Sequence, residues 1–168
     1  MSKRPGIRIV VFLGVLTALE IVLTRFLSIN VWNLRIGFGF VPVAAAAMLF
    51  GPLAGGLVGA LGDFLGALLF PTGPFFPGFT VTAFLTGLTY GLLHRKRGFG
   101  RTVGVVAVQQ LVLSLFLNTL WISLLYGSPF RALLAARGVQ CAILVPVQLA
   151  VLLGLTKALE TWERRLLP

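Results

Sequence analysis

LRIGFGFVPVAAAAMLFGPLAGGLVGALGDFLGALLFPTGPFFPGFTVTAFLTGL, residues Leu34–Leu88, is apolar almost throughout and holds a single acid, Asp63. A water-soluble domain has no way to hide so much continuous apolar surface. In a bilayer the same run is stable, provided that every backbone polar group is satisfied inside a helix. Gly51-Pro52 and Pro71 to Pro74 cut it into pieces of the length that helices crossing a membrane need.

The rest of the chain agrees. Of its 168 residues, 58% are hydrophobic and 11% charged, against roughly a quarter charged in soluble domains, and the mean hydropathy is +1.00. At about 20 residues per crossing, this length accommodates five or six helices and no separate soluble domain. The expectation is therefore one domain, residues 1–168, folded as an all-α integral membrane protein. Spans are expected near Ile7–Leu27, Phe38–Phe50, Leu53–Phe70, Pro77–Leu93, Thr102–Tyr126 and Phe130–Thr161. The first resembles a signal peptide but lacks a small-residue cleavage site, and reads as an uncleaved helix.

The net charge of +10 would suggest nucleic acid in a soluble protein. Its placement argues for a membrane surface instead. Lys3, Arg4 and Arg8 precede the first span, Arg95, Lys96, Arg97 and Arg101 share one loop, and Lys157, Arg164 and Arg165 lie near the C-terminus. Six crossings put all three clusters, and both termini, in the cytoplasm, as the positive-inside rule requires. Ten of the fourteen basic residues are thereby explained, which leaves Arg25, Arg35, Arg131 and Arg137 at or near the outer face.

Several helical faces carry small or polar residues. Gly55, Gly59, Gly62 and Gly66 fall within about 60° of one another, a seam for close helix packing, with Asp63 beside it. Gly14 and Ala18 form a smaller patch on the first helix, and Thr17, Glu20 and Thr24 occupy another sector. On the fifth helix Gln110, Ser114, Asn118 and Trp121 share a face; on the sixth so do Arg137, Gln140, Cys141, Leu144 and Gln148. Some of these polar groups serve as hydrogen-bonded links between helices, and Arg131, at a helix start, reads as a snorkelling residue. Arg137 lies too deep for that. A polar layer with aromatic walls and excess arginine has the composition of a pocket for an anionic, partly aromatic small molecule.

Catalytic signatures are missing. GFGRT at Gly98–Thr102 lacks the lysine of a phosphate-binding loop, and one His with one Cys cannot ligate zinc. No metal or cofactor is expected. Glu20 and Asp63 leave an intramembrane enzyme open as a minor reading, and a purely structural assembly subunit is a third class.

LTRFLSI at Leu23–Ile29, LRIGFGFVPVAAAAMLFGP at Leu34–Pro52, GDFLGALLFPTGPFFPGFT at Gly62–Thr80, LNTLWISLLYG at Leu117–Gly127 and VPVQ at Val145–Gln148 together resemble the S components of energy-coupling factor (ECF) vitamin transporters. The likeness is greatest to the folate-binding members and spans the chain. It implies a prokaryotic multi-pass cell-membrane protein of six helices that captures a vitamin from outside and is no enzyme. It also implies partners: a transmembrane coupling subunit and two ATPases. Small residues of the first helix dock the coupling subunit in such proteins, and Gly14 and Ala18 stand at that place, although the family more often has Ala at the first. The segment from Ser28 to Gly37 is expected to lid the pocket. Folate would offer carboxylates to Arg25, Arg35 or Arg137. Its pterin would meet Asn118, Gln140, Gln148 or Asp63, with Trp121, Phe75 or Phe79 as a stacking wall. Another anionic heteroaromatic nutrient is the alternative ligand.

Overall fold

The computed structural model describes residues 6–31, 34–71, 73–95 and 98–166, with the side chains of residues 29–36 and 162–166 left aside. Among the described residues six helices form in the expected order: α1 (Ile7–Arg25), α2 (Phe40–Phe50), α3 (Pro52–Leu69), α4 (Pro77–Tyr90, continued by a 3-10 turn to Leu93), α5 (Phe99–Tyr126) and α6 (Phe130–Leu166). To this all-α bundle the connection after α1 adds one feature. Between α1 and α2 the backbone forms a short antiparallel hairpin, β1 (Ile29–Val31) and β2 (Leu34–Ile36), pairing Ile29 with Ile36 and Val31 with Leu34. Strands of three residues are too short for any period-2 pattern to announce them.

Gly51 turns α2 into α3. Its φ of 97° lies in the region that favours glycine, and Pro52 follows at the first helical position, where a missing N–H costs nothing. Gly127, at φ 63°, ends α5 in the same way before α6.

Among the described residues four helices, α1, α3, α5 and α6, are long and apolar enough to cross a membrane. α2 and α4 are shorter. Eleven residues give α2 about 16 Å, roughly half of a hydrocarbon core. This short helix is nonetheless the hub of the core: Ala44, Ala46, Ala47 and Met48 are fully buried, packed with Val58, Tyr90, Leu93 and Leu152. Its alanines admit close neighbours. A Cβ on Gly55 of α3 would lie 2.9 Å from the Gly87 carbonyl of α4, and one on Gly59 would lie 2.5 Å from that of Ala83. The glycine seam thus seats α4 directly on α3.

α5 is not uniform. Residues Val108–Leu117 wind as a π-helix between two α-helical segments. The Gln110 carbonyl of this stretch accepts a bond from Cys141 Sγ (3.4 Å), and the Ser114 carbonyl one from Arg137 Nη2 (3.3 Å), so α6 side chains satisfy part of the widened turn.

Candidate ligand-binding cavity

Because α2 starts only at Phe40, space remains above its N-terminus. The other helices enclose it as a cavity of about 520 Å³, within the range of small-molecule sites. Each helix contributes its portion nearest one end of the bundle: Glu20 to Arg25 of α1, Phe40 and Val43 of α2, Gly59 to Ala67 of α3, Phe79 to Thr86 of α4, α5 from Gln109 onward, and Arg137 to Gln148 of α6. That end carries the hairpin, the connection from Phe70 to Pro77 and the turn at Gly127. Ser28 and Gly37, at the two feet of the hairpin, also line the cavity, and β2 reaches across to α6.

Small residues make room for the polar ones. The lower half of the α3 seam packs helices, but its upper half receives side chains of α1. A Cβ on Gly62 would run into the Glu20 carboxylate, and one on Gly66 would lie 2.9 Å from Arg25 Nε. The Arg25 guanidinium lies 4.0 Å from the Asp63 carboxylate and donates to the Asp63 carbonyl at 3.4 Å. Asp63 in turn accepts from Thr80 (2.8 Å), and Thr24 donates to Glu20 (2.8 Å). Each acid is therefore held by neighbours, Glu20 by Thr24 and Asp63 by Arg25 and Thr80.

Across the cavity Arg137 is differently placed. It is 8% exposed, its Nε has no hydrogen-bond partner among the described residues, and no carboxylate there pairs with it. A buried cation of this kind is stable only when an anion or a well-aimed set of acceptors faces it. Asn118, another lining residue, has its side-chain oxygen buried and unpartnered as well. The aromatic wall comes from the connection after α3, where Phe75 packs edge-on against Phe64 and Phe76 against Phe79.

Of the residues expected from sequence, Arg25, Asp63, Phe75, Phe79, Asn118, Arg137, Gln140 and Gln148 all line this one cavity. Trp121 stands one layer behind. Its ring lies against Phe76 and over Gly78, whose missing side chain makes the room, and its Nε1–H goes to Thr82 (3.0 Å). It supports the wall instead of forming it. The Arg35 side chain lies outside the described residues. Gly14 and Ala18 face outward on α1, with no atom within 4 Å of a Cβ built on Gly14. Several lining residues escaped sequence reading, among them Phe40, Thr86, Gln109 and Tyr126. Gln109 and Gln110 both line the cavity, which the π-helical winding permits and an α-helical projection does not suggest. Glu20 and Thr24 had announced themselves as a polar stripe on an otherwise apolar helix.

Fold and cavity together define a transport subunit that binds its cargo inside a membrane bundle. Residues 6–159 match the family of ECF-type riboflavin transporter S components, and the chain belongs to this family. It is a multi-pass cell-membrane protein, and the family is one of transport subunits, not enzymes. The chain is 39% identical to the folate transporter FolT of Clostridium novyi (strain NT) over 94% of its own length and 92% of that protein's. It is 32% identical to FolT of Leuconostoc mesenteroides subsp. mesenteroides, over 84% and 80%. A crystal structure of FolT bound with folic acid superposes with a TM-score of 0.85 at 32% identity, covering 91% of this chain and 95% of that one. The S component of a bacterial ECF transporter, at 24% identity and a TM-score of 0.69, shares the fold.

Proposed function

We propose that this chain captures folate, or a reduced folate, from outside the cell and delivers it through an ATP-driven ECF complex. The observation that carries the reading is the buried Arg137 guanidinium, unpaired with any described carboxylate, in a cavity that Arg25 also lines. Folate carries two carboxylates on its glutamate tail, which suit guanidinium forks, and a flat pterin that suits the phenylalanine wall. Asn118 and Gln140 supply donors and acceptors for the pterin edge. The FolT relatives support the same ligand.

The family description names riboflavin. Riboflavin has no carboxylate, and Arg137, which no described carboxylate pairs with, favours an anion over a neutral isoalloxazine, while Arg25 already faces Asp63. A different anionic heteroaromatic vitamin is the reading to keep beside folate.

Orientation follows from charge. The cavity opens at the end opposite Arg8, Arg95, Arg101 and Lys157, so with those residues in the cytoplasm it faces outward and both termini lie inside. The hairpin closes over it. Gly14 and Ala18, flanked by exposed Val11, Val15, Leu19 and Val22, offer the coupling subunit a flat strip where its helices approach closely; two ATPases complete the complex. Native mass spectrometry of the detergent-solubilised protein, purified from cells grown with both vitamins, tests the ligand. Added mass equal to a folate is expected, and added mass equal to a flavin would overturn the assignment.

A further inference from the structure

Beneath the arginines, three helices are joined by a buried chain of side chains. Gln110 of α5 donates through Nε2 to Gln148 Oε1 of α6 at 2.8 Å, and Gln148 Nε2 donates to the Tyr90 hydroxyl of α4. All three are nearly inaccessible: Gln110 is 4%, Gln148 2% and Tyr90 0% exposed. Gln110 and Gln148 line the cavity, whereas Tyr90 does not.

The chain has a direction. An amide has an accepting end and a donating end. The Gln148 nitrogen goes to the Tyr90 hydroxyl, the Gln148 oxygen is turned to Gln110, and Gln110 offers it its nitrogen. Its own oxygen, Oε1, is then left over, buried and without a partner among the described residues. A buried acceptor with no donor is costly until something donates to it.

We infer that Gln110 Oε1 is the acceptor that reads the donor edge of the ligand's heteroaromatic ring. The inference rests on the folate reading and adds a specificity device to it. The pterin of folic acid presents such an edge, an exocyclic 2-amino group beside a ring N3–H. Gln110 is thus a specificity-determining residue.

The test measures selectivity, which a general loss of packing does not move. Equilibrium binding of folic acid, its 2-desamino analogue and its 4-amino analogue is measured on purified wild type and Gln110→Leu. The first analogue lacks the amine donor, and the second lacks the proton on N3. Wild type should prefer folic acid over at least one analogue by tenfold or more. In Gln110→Leu that preference should fall to within about twofold. Wild type without such a preference, or unchanged preference in Gln110→Leu, overturns the acceptor assignment. Should Gln110→Leu fail to fold, as judged by size-exclusion and thermal melting, Gln110→Met takes its place with the same criterion. Wild-type protein that binds no folic acid rejects the folate reading itself, a distinct outcome from binding without selectivity.

Discussion

Arg137 sits about two turns into α6, beyond easy reach of the headgroups, with one bond to the Ser114 carbonyl. Arg131, on the same helix, is exposed. The two separate a ligand-binding role from a general effect of positive charge. Arg137→Ala is expected to weaken folate binding about 30-fold or more, in line with the roughly 2–5 kcal/mol lost when a buried, charged partner is truncated. Arg131→Ala should stay within twofold. Isothermal titration on both variants checks this, and equal effects would remove Arg137 from the site.

At the scale of elements, α3 serves two purposes along a single stripe. Gly59 meets backbone of α4, while Gly62 meets the end of a flexible side chain. Gly59→Ala should therefore lower stability by about 1–3 kcal/mol, the usual range for overpacking, visible as a lower melting temperature. Gly62→Ala should leave melting nearly unchanged yet reduce folate affinity about tenfold, because the Glu20 carboxylate must shift. Loss of stability in the second variant without loss of affinity would contradict this division. The outward strip of α1 gives a complementary case. Ala18→Trp should bind folate like wild type but fail to co-purify with the coupling subunit; normal co-purification would reject the docking role.

Those examples show what the residues reveal when read in order. The stripe at Gly55, Gly59, Gly62 and Gly66 was visible because glycines at helical spacing have few other uses in a bilayer. That its two halves meet different partners was not, since spacing says nothing about what approaches. Arg137 and Gln148 were legible through their depth in an apolar helix. Trp121 was misplaced by one layer, because a face about 100° wide includes residues that reach the cavity and others that support its wall. Gln109 and the hairpin were hidden for local reasons, a change of helical winding and strands too short for a pattern.

For the whole molecule, capture from outside requires the cavity to open outward while the basic clusters stay in the cytoplasm. Single cysteines introduced at Gly73 and Gly98, both exposed, in a Cys141→Ser background, test this in intact cells. A membrane-impermeant maleimide should label the first and spare the second; the reverse would invert the topology. The central claim is that buried positive charge awaits a negatively charged guest, and the most direct measurement compares two ligands on the purified wild-type chain. Folic acid carries two carboxylates, and pteroic acid keeps the pterin and the benzoate but loses the glutamate. One folic acid per chain should bind, at least tenfold tighter than pteroic acid. Equal affinity for the two, or no binding of folic acid, would contradict the account.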